Sequence, residues 1–447
     1  MVIRFSMENF LSFRERQTLD LMATRTCKER RDENTIAFDG KDSLLRTLAL
    51  YGANASGKSN VFHAFAFLVN SVLTSFNERM ANEEIEVIPF LYDEYSRDNP
   101  SSMEIEFCIG QDCYKYSVSL SSRFVEGECL LHRKICNSIY KPRFIRKRVI
   151  GDTGDVEDCI NVFPSFQGAD DSVVEKTREN ALFLSTCAGL AVPESMKILD
   201  EFASYRFISA SSARMNFTAR MMSDERYRKS IVEFVNRADP SVDDIRVEPY
   251  EVDTGDTRPN GTVVKRLRYR IIIQHKKESG EPINLPLYGL GSLGTHKAFE
   301  LAGPIFNALA NGGLLFIDEL DSRLHPIFTR EIVKLFNNAQ TNVNRAQLIF
   351  NTHDTNLLNC KVYTPSRDRK EQLLRRDQIY FVERTGEYVS RLYSLVDFRD
   401  DSGEAVRNDA SFEKDYLSGK YGAIPYIGGE LSFLQSEVND EQGVPKS

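Results

Sequence analysis

"GANASGKS" (52–59) fits the pattern G-x-x-x-x-G-K-S, which is typical of a loop that binds the phosphates of a nucleotide. Gly52 and Gly57 allow backbone N–H groups to converge on phosphate oxygens. Lys58 places a positive charge beside the β- and γ-phosphates, and the Ser59 hydroxyl is a ligand for Mg²⁺. The spacing therefore predicts a nucleotide site with a bound magnesium ion.

The segments on either side of this phosphate loop agree with that prediction. "RTLALYGA" (46–53) reads as a short buried strand, and "SNVFHAFAFLVNSVL" (59–73) has apolar residues at helical spacing. The alternative is a glycine-rich turn that binds nothing, but such a turn needs no strand before it and no helix after it. We therefore predict these nucleotide-binding residues: Gly52, Ala53, Asn54, Ala55, Ser56, Gly57, Lys58, Ser59 and Asn60.

A second motif, "LLFIDE" (314–319), places two acids directly after four apolar residues. A buried strand of this kind delivers Asp318 to the metal at its carboxyl end, so Ser59 and Asp318 are the predicted metal residues. Glu319 then points at the γ-phosphate, where it can polarise an attacking water. The alternative, a strand that simply ends at polar residues, does not explain the pairing with the phosphate loop.

A third motif, "LIFNTHD" (348–354), reads as another buried strand, and it ends at Thr352 and His353. A histidine at a strand end is more often structural than functional. Here the alternation of strands and helices predicts a parallel sheet, and ligands bind at the carboxyl edge of such sheets. We therefore predict that His353 contacts the γ-phosphate. The predicted catalytic residues are Glu319, His353 and Lys58.

The bulk composition is that of an ordinary globular protein. The chain has 447 residues, of which 41% are hydrophobic and 27% charged, with a formal net charge of -8. An acidic chain is a poor general binder of nucleic acid, although a local basic patch can still bind it. The sequence has no apolar run of membrane-spanning length and no signal-peptide core, so we expect a cytoplasmic protein. Its eight cysteines are then expected to be free thiols that serve mostly in packing.

Three quoted motifs, "YGANASGKSN", "IDELDSRLHP" and "LIFNTHDTNLL", resemble the ABC-type ATPase heads of the SMC, RecF and OLD group. The chain is more closely similar to the bacterial AAA_15-type ATP-binding proteins. Further pieces of that family's pattern are "MVIRFSMENFLSF" at the start, "LLRRDQIYFVER" (373–384) and "DYLSGKYGAIPYIGG" (415–429). The resemblance implies an ABC-like head that binds ATP and Mg²⁺, with two nucleotides held between two heads.

The resemblance also requires a signature loop before the second motif. "YGLGSLGTHKAFELA" (288–302) has three glycines and lies at the expected distance, since Gly291 precedes Asp318 by 27 residues. Aligned on the family's LSGGQ pattern, the matching residues are Ser292, Gly294 and Thr295. A helix N-terminus here would offer free N–H groups to a γ-phosphate of the other head. Gly291 and Leu293 depart from the family pattern, and the alternative is that Ser292 only caps the helix.

The predicted fold class is α/β: an ABC-type P-loop ATPase head with a mostly parallel core sheet and an antiparallel β lobe. A largely helical insertion separates the phosphate loop from the signature. The predicted domains are the N-terminal part of the head (1–135), a β/helical insertion (136–262), the C-terminal part of the head (263–395) and a C-terminal extension (396–447). The extension is expected to pack on the head or to bind a partner.

Several related classes are disfavoured. SMC proteins need long coiled-coil arms, but the insertion shows no heptads. OLD nucleases need a Toprim domain after His353, and only 94 residues remain there. Arg270 and His275 match the R-x₄-H spacing of HEPN ribonucleases, whose sites lie on helices, whereas "YRIIIQH" is strand-like. The basic stretch 133–148 is either a solvated strand pair or a contact surface for nucleic acid or an acidic partner.

The resemblance implies an ATPase that closes two heads on ATP and opens them after hydrolysis. Its relatives occur largely in bacterial anti-phage and abortive-infection loci, beside a small toxin or nuclease. We therefore expect a homo-oligomer that controls an effector encoded nearby, with a phage-encoded trigger and nucleic acid left open as ligands, and no membrane. This step rests on analogy rather than on chemistry. The alternatives are a RecF-like ATPase of DNA repair and a nucleotide-dependent scaffold that does not hydrolyse ATP.

Overall fold

A computed structural model describes most of the chain. It covers residues 1–40, 42–137, 139–150, 156–209, 215–257, 263–358, 362–364, 367–369, 372–400 and 402–425. Within these ranges, no helix combines the length and the apolar composition needed to cross a membrane.

The strands of the first half are β1 (Val2–Glu8), β2 (Gln17–Asp20), β3 (Thr35–Ala37), β4 (Ser43–Leu45), β5 (Thr47–Tyr51), β6 (Ser101–Ile109), β7 (Asp112–Leu120), β8 (Val125–Lys134), β9 (Lys141–Ile150), β10 (Val156–Val162) and β11 (Arg206–Ile208). Those of the second half are β12 (Asp244–Thr257), β13 (Val263–Lys276), β14 (Pro282–Pro286), β15 (Leu314–Ile317), β16 (Gln347–Asn351), β17 (Val362–Thr364), β18 (Arg367–Arg369), β19 (Ile379–Arg384) and β20 (Ser390–Ser394).

The helices are α1 (Arg31–Asn34), α2 (Lys58–Thr74), α3 (Glu94–Asp98), α4 (Asp171–Glu175), α5 (Phe183–Gly189), α6 (Pro193–Ser204), α7 (Met215–Met221), α8 (Glu225–Ala238), α9 (Leu287–Leu290), α10 (Leu293–Asn311), α11 (Pro326–Asn337) and α12 (Phe412–Leu417). Two 3₁₀ turns cover Thr355–Leu358 and Arg376–Gln378.

Six strands form the central sheet, in the order β11-β15-β16-β5-β19-β20. β5 lies between β16 and β19, and both neighbours run parallel to it. β15 pairs in parallel with β16 and β11, and only β20 at the edge is antiparallel. The predicted α/β class with a mostly parallel core sheet is confirmed.

The strand before the phosphate loop is buried on both faces. Leu48 and Leu50 belong to the core that the sheet shares with α2 and the antiparallel strands. Ala49 and Tyr51 belong to the core on the opposite face, with α10 and α11. Such a strand carries apolar side chains between its ends. The polar residues of the motifs appear where the strands end.

Seven strands form the antiparallel lobe, in the order β10-β9-β8-β7-β6-β1-β2. The hairpin predicted at 103–120 is confirmed as β6 and β7, which turn at Gly110 and Gln111. α2 joins the lobe to the central sheet, because Phe65 stacks on Phe5 of β1 with ring centroids 4.4 Å apart. Phe62 of the same helix meets Phe316 of β15 at 5.2 Å, so four aromatic rings of the two layers share one core.

The prediction that every cysteine is a free thiol is wrong for one pair. Cys108 and Cys113 are directly opposite each other across the β6–β7 hairpin and form a disulfide. A two-residue turn brings positions five apart into register, which the sequence spacing already allowed. The free cysteines in the described part of the chain are Cys27, Cys129, Cys136, Cys159 and Cys187. Cys360 lies outside it.

The basic stretch 133–148 is largely neutralised within the lobe. Arg146 is fully buried and donates to Asp158, and Arg143 donates to Glu194 at 2.9 Å. Further carboxylates lie within 4 Å of three more cations of the stretch: Arg133, Lys134 and Arg148. Neither sequence interpretation fits, because most of these charges are neither solvated nor free for a partner.

The region 165–245 is mainly helical, as predicted, and holds α4 to α8. It also supplies β11, a strand of the central sheet that pairs with β15. β12, β13 and β14 form a separate three-stranded sheet. Arg270 and His275 lie on β13, so the helical ribonuclease pattern is absent at these positions. The domain boundaries given above stay a prediction.

α10 does not end at Pro304, where the sequence predicts a kink or the end of a first segment. Proline cannot donate to the carbonyl of Glu300, four residues earlier. The Thr218 hydroxyl of α7 donates to that carbonyl at 3.2 Å and accepts from the N–H of Gly303 at 3.2 Å. A side chain of α7 thus satisfies the groups that the proline leaves open.

The C-terminal extension packs on the head as far as the structure describes it. Tyr421 is fully buried, and its backbone carbonyl accepts from the hydroxyl of Tyr393 on β20 at 2.7 Å. Tyr416 of α12 packs edge-on against Tyr51, the last residue of β5. The extension therefore lies directly beneath the phosphate loop. Residues 426–447, which include the end of the "YGAIPYIGG" segment, lie outside the described residues.

Candidate nucleotide-binding site

The phosphate loop connects β5 to α2 in the order that the motif predicts. Gly57 precedes α2 with φ 111°, and an added Cβ there would lie 2.5 Å from Ser390 Oγ and 2.7 Å from Ser12 Oγ. Only glycine fits this backbone. No side chain caps α2, and its first turn carries no acid. The first N–H groups of the helix are therefore free for an anion.

Lys58 lies folded over the phosphate loop. Its Nζ donates to the carbonyls of Gly52 at 2.8 Å and Ala53 at 2.9 Å. Burial lowers the pKa of Lys58 to about 8, although the nearby Asp318 and Glu319 act in the opposite direction. Backbone carbonyls thus hold the ammonium group in the position where a phosphate would accept from it.

The predicted metal residues are adjacent. Ser59 Oγ donates to Asp318 Oδ1 at 3.1 Å, across two motifs that are 259 residues apart in the chain. Asp318 is buried, and the Asn351 side chain at the end of β16 donates to the same oxygen. Hydroxyl and carboxylate oxygens are the ligands that Mg²⁺ prefers. The donor set therefore fits the predicted ion, with Asn351 orienting the carboxylate.

Glu319 and His353 lie at the same edge of the sheet. Glu319 has φ 56°, which turns the chain sharply as it leaves β15. The backbone N–H of His353 lies 3.3 Å from both carboxylate oxygens of Asp321. Partial burial and the charge of Lys58 lower the pKa of His353 below its usual range, so the imidazole is neutral at pH 7.

One cavity of about 500 Å³ collects these side chains. This volume is typical of a site for a small molecule or cofactor. It is lined by Asn54, Ala55, Ser56, Gly57, Lys58, Ser59, Asn60, Asp318, Glu319, His353 and Arg384. A larger cavity of about 850 Å³ beside β11 and α7 has mainly apolar walls and none of these residues.

Arg384 lines the cavity, and two tyrosines pack against its guanidinium. Arg384 Nη1 donates to the Ala55 carbonyl of the phosphate loop at 3.3 Å. Its guanidinium lies 5.1 Å from the ring centre of Tyr388 and 5.8 Å from that of Tyr92. The two rings stack on each other at 4.8 Å, and both are more than half exposed. A flat aromatic surface therefore borders the cavity on the β19 side of β5.

The signature residues do not line this cavity. Ser292 caps α10, because its Oγ accepts from the N–H of Thr295 at 3.0 Å. Thr295 in turn donates its hydroxyl to Asp239. Gly294 lies so close to the loop after Glu319 that an added Cβ would be 3.2 Å from the Arg323 carbonyl. Within one chain, Ser292 is thus a helix cap at a distance from the phosphate loop.

Comparison with known proteins gives one family. The model described as "AAA domain, putative AbiEii toxin, Type IV TA system" (AAA_21) matches residues 48–359, from β5 to the end of the 3₁₀ turn after His353. The chain belongs to this AAA domain family. The match supports the general class of an AAA-type ATPase domain, whereas the relation to ABC and SMC heads and membership of the AAA_15 group stay predictions.

Two further comparisons add little to this AAA assignment. No curated protein matches the chain. Among solved structures, the SMC head domain from Thermotoga maritima is similar over 88% of this chain and 98% of that one, at 13% identity and a TM-score of 0.35.

Several residues of this AAA site were missed by sequence reasoning. Ser12 Oγ accepts from Asn60 Nδ2 at 2.7 Å, and Ser390 Oγ donates to the Ser56 carbonyl at 2.6 Å. Ser12 lies in "NFLSF", near the start of the sequence. These hydroxyls brace the loop from two distant parts of the chain. Only Asn351 carried a usable signal, since it stands at the end of a predicted strand beside His353.

We expect Asn351→Leu to raise the Mg²⁺ concentration that ATP binding requires. Without the amide, Asp318 loses the donor that orients it, and losses of such outer contacts typically reduce metal affinity by about 10- to 100-fold. The measurement is the Mg²⁺ concentration that gives half-maximal ATP binding. ATP binding in the presence of a chelator is the internal control and should be unchanged. Equal loss with and without Mg²⁺ would instead indicate a damaged fold.

Proposed function

We propose that the chain hydrolyses ATP to ADP and phosphate at a site completed by a second copy of itself. The observation that carries this proposal is the single cavity that collects Lys58, Asp318, Glu319 and His353 at the carboxyl edge of three parallel strands. Each side chain has the chemistry that phosphoryl transfer needs at its place: cations for the phosphates, oxygens for the metal and a carboxylate for water.

The chain's own groups divide the work between binding and proton transfer. The free N–H groups of α2 and the Lys58 ammonium hold the phosphates and oppose the charge that develops on them. Glu319 takes the proton of the attacking water. His353, neutral at pH 7, donates a hydrogen bond to the γ-phosphate. Magnesium held by Ser59 and Asp318 would supply further charge neutralisation.

We assign the signature loop (288–295) to the nucleotide of the partner copy. Three observations support this assignment. Ser292 and its helix N-terminus lie outside the cavity of their own chain, and α10 has no acid in its first turn. Large apolar side chains around the loop are exposed, with Tyr288 at 79%, Leu290 at 63% and Leu293 at 61%. Exposed apolar patches of this kind mark interaction surfaces. Two heads related by two-fold symmetry would bury two such patches.

We also assign the nucleobase to the stacked pair Tyr92 and Tyr388 with Arg384. The γ-phosphate must lie beside Glu319 and His353, which follow strands on one side of β5. The nucleoside then extends toward β19, on the other side of β5, where the exposed rings and the guanidinium lie. Aromatic faces and arginine planes are common platforms for bases.

The biological role that we propose is a nucleotide-dependent switch in bacterial antiviral defence. The family description names a putative AbiEii toxin of a type IV toxin–antitoxin system, and the AAA_15-like motifs agree with such a setting. In this role the ATP-bound oligomer controls a toxin or nuclease encoded nearby, and a phage product is the trigger. A partner that binds the ATP-bound and ATP-free states with different affinity would support it.

Glu319→Gln should abolish turnover while ATP binding persists. The amide keeps the shape of the side chain but cannot accept the proton, and loss of a general base typically costs about 10²- to 10⁴-fold in rate. ATP should then accumulate on a closed oligomer that size-exclusion chromatography detects. Turnover close to wild type would contradict the proposed hydrolysis.

Ser292→Asp separates a trans contact from a helix cap. Aspartate caps helices as well as serine does, so the fold and the ATP affinity of single chains should be unchanged. Its negative charge would repel a γ-phosphate and should therefore abolish hydrolysis.

Mixing the inactive Ser292→Asp and Lys58→Ala chains should then restore activity. Half of the randomly mixed dimers are heterodimers. Each heterodimer has one site with both Lys58 and Ser292 and one site with neither, so about a quarter of the wild-type rate returns. Matched controls are each variant mixed with itself. Full activity of Ser292→Asp alone, or no recovery on mixing, would contradict the trans assignment.

Replacing both Tyr92 and Tyr388 by alanine should weaken ATP binding and spare base-free tripolyphosphate. Loss of stacking is expected to cost about tenfold or more in affinity for ATP. Calorimetric titration of both ligands is the measurement. Tyr95→Ala is the control, because Tyr95 is 79% exposed in the neighbouring helix α3. Equal weakening of ATP and tripolyphosphate binding would refute the base assignment. It would not contradict the assignment of the phosphates to the loop 52–59.

A further inference from the structure

The hairpin of β12 and β13 forms a long two-stranded ribbon with two different faces. Residues opposite each other across the ribbon share a face. Ile245 pairs with Ile273, and both are buried in the core under the sheet. Val247 and its partner Ile271 follow on the same face. The alternate residues of each strand must therefore point outward.

Four arginines lie on this outer face, which we name the arginine face. They are Arg246, Arg266, Arg268 and Arg270, all exposed. The cross-strand partner of Arg268 is Tyr250, and that of Arg266 is Val252. Successive outward positions on a strand are about 6.6–6.8 Å apart, so the three arginines of β13 form a straight row.

Most of these charges lack a carboxylate. The face has two acids, and each already binds an arginine: Glu248 lies 3.7 Å from Arg270, and Asp244 lies 2.7 Å from Arg228 of α8. In the part of the chain that the structure describes, no carboxylate lies within 4 Å of Arg246, Arg266 or Arg268. The opposite side of the ribbon differs, since Lys265 there is paired with Glu251 at 3.0 Å.

The antiparallel lobe also contains many cations, but most of them are paired with carboxylates. The basic stretch 133–148 is richer in positive charge, yet the fold supplies carboxylates for most of it. The chain as a whole is acidic, with a formal net charge of -8. Three guanidinium groups without a carboxylate partner thus lie together on one exposed face, where they are available to an anion from outside the chain.

We propose that the arginine face binds the phosphate backbone of a nucleic acid. Guanidinium groups bind phosphates in a bidentate manner, and phosphate contacts provide most of the affinity of proteins for nucleic acids. A two-stranded ribbon has dimensions that fit the major groove of a duplex. An acidic protein partner fits less well, because protein interfaces have a water-excluding apolar centre. Here the apolar side chains of Tyr250 and Val252 lie at one end of the face, each opposite an arginine of β13, and not at its centre.

The test is salt-dependent binding of a short labelled DNA duplex, followed by fluorescence anisotropy without nucleotide. The variant replaces Arg246, Arg266 and Arg268 by glutamine. The matched control replaces Arg25, Arg226 and Arg407, which are exposed arginines elsewhere, and gives the same net charge. Single-stranded DNA and duplex RNA are tested in parallel, because all three ligands present the same phosphates.

We expect the wild type and the control to bind alike and the arginine-face variant to bind weakly. Loss of three phosphate contacts should flatten the slope of log K against log salt by about 2.7. Raising salt from about 50 to 200 mM should then weaken the wild type about 40-fold more than the variant. The ligand with the highest affinity among duplex DNA, single-stranded DNA and duplex RNA identifies the kind of nucleic acid.

Three results would overturn the proposal. The variant could bind as the wild type does, or the control could lose as much affinity as the variant. In the third result, the wild type binds none of the three nucleic acids but binds poly-glutamate, which would indicate an acidic protein partner. All three can be distinguished from failure of the proposed ATPase, because binding is measured without ATP. Unchanged thermal midpoints and ATP affinity of both triple variants check their folds.

Discussion

The site depends on one constraint: β5, β15 and β16 are buried on both faces and run parallel. Apolar side chains fill both faces of these strands between their ends, and the acids of the motifs follow at the carboxyl edge, where all three strands end together. This brings Ser59 and Asp318 to 3.1 Å across 259 residues, with Asn351 from the third strand beside them. The chemistry of the site is thus a consequence of packing on both sides of the sheet.

Much of the nucleotide-binding site and of the central sheet could be predicted from contiguous sequence motifs. A phosphate loop, an acidic strand end and a histidine strand end each carry their own local signal, and the parallel sheet followed from the alternation of strands and helices. Contacts between distant segments carry no such signal. Ser12 and Ser390 meet at the phosphate loop across 378 residues. Arg146 looked like surface charge until β9 placed it inside the lobe.

The helix N-termini of α2 and α10 show how a single chain leaves the site incomplete. Both begin without an acid in the first turn, but α2 has no side-chain cap and faces the cavity, whereas α10 is capped by Ser292 and faces away. A cap of this kind satisfies only part of the first turn. The exposed apolar side chains of Tyr288, Leu290 and Leu293 lie beside this N-terminus, which is why we assign it to a partner copy.

The position of the ribbon gives a physical route between its arginine face and the signature loop. β13 pairs with β14, and β14 ends at Pro286, so the chain passes through α9 to Ser292 within six residues. Ile273 of β13 and Leu287 of α9 pack in the same core as α10. An anion held on the arginine face would restrain β13 and, through β14, the segment that positions Ser292.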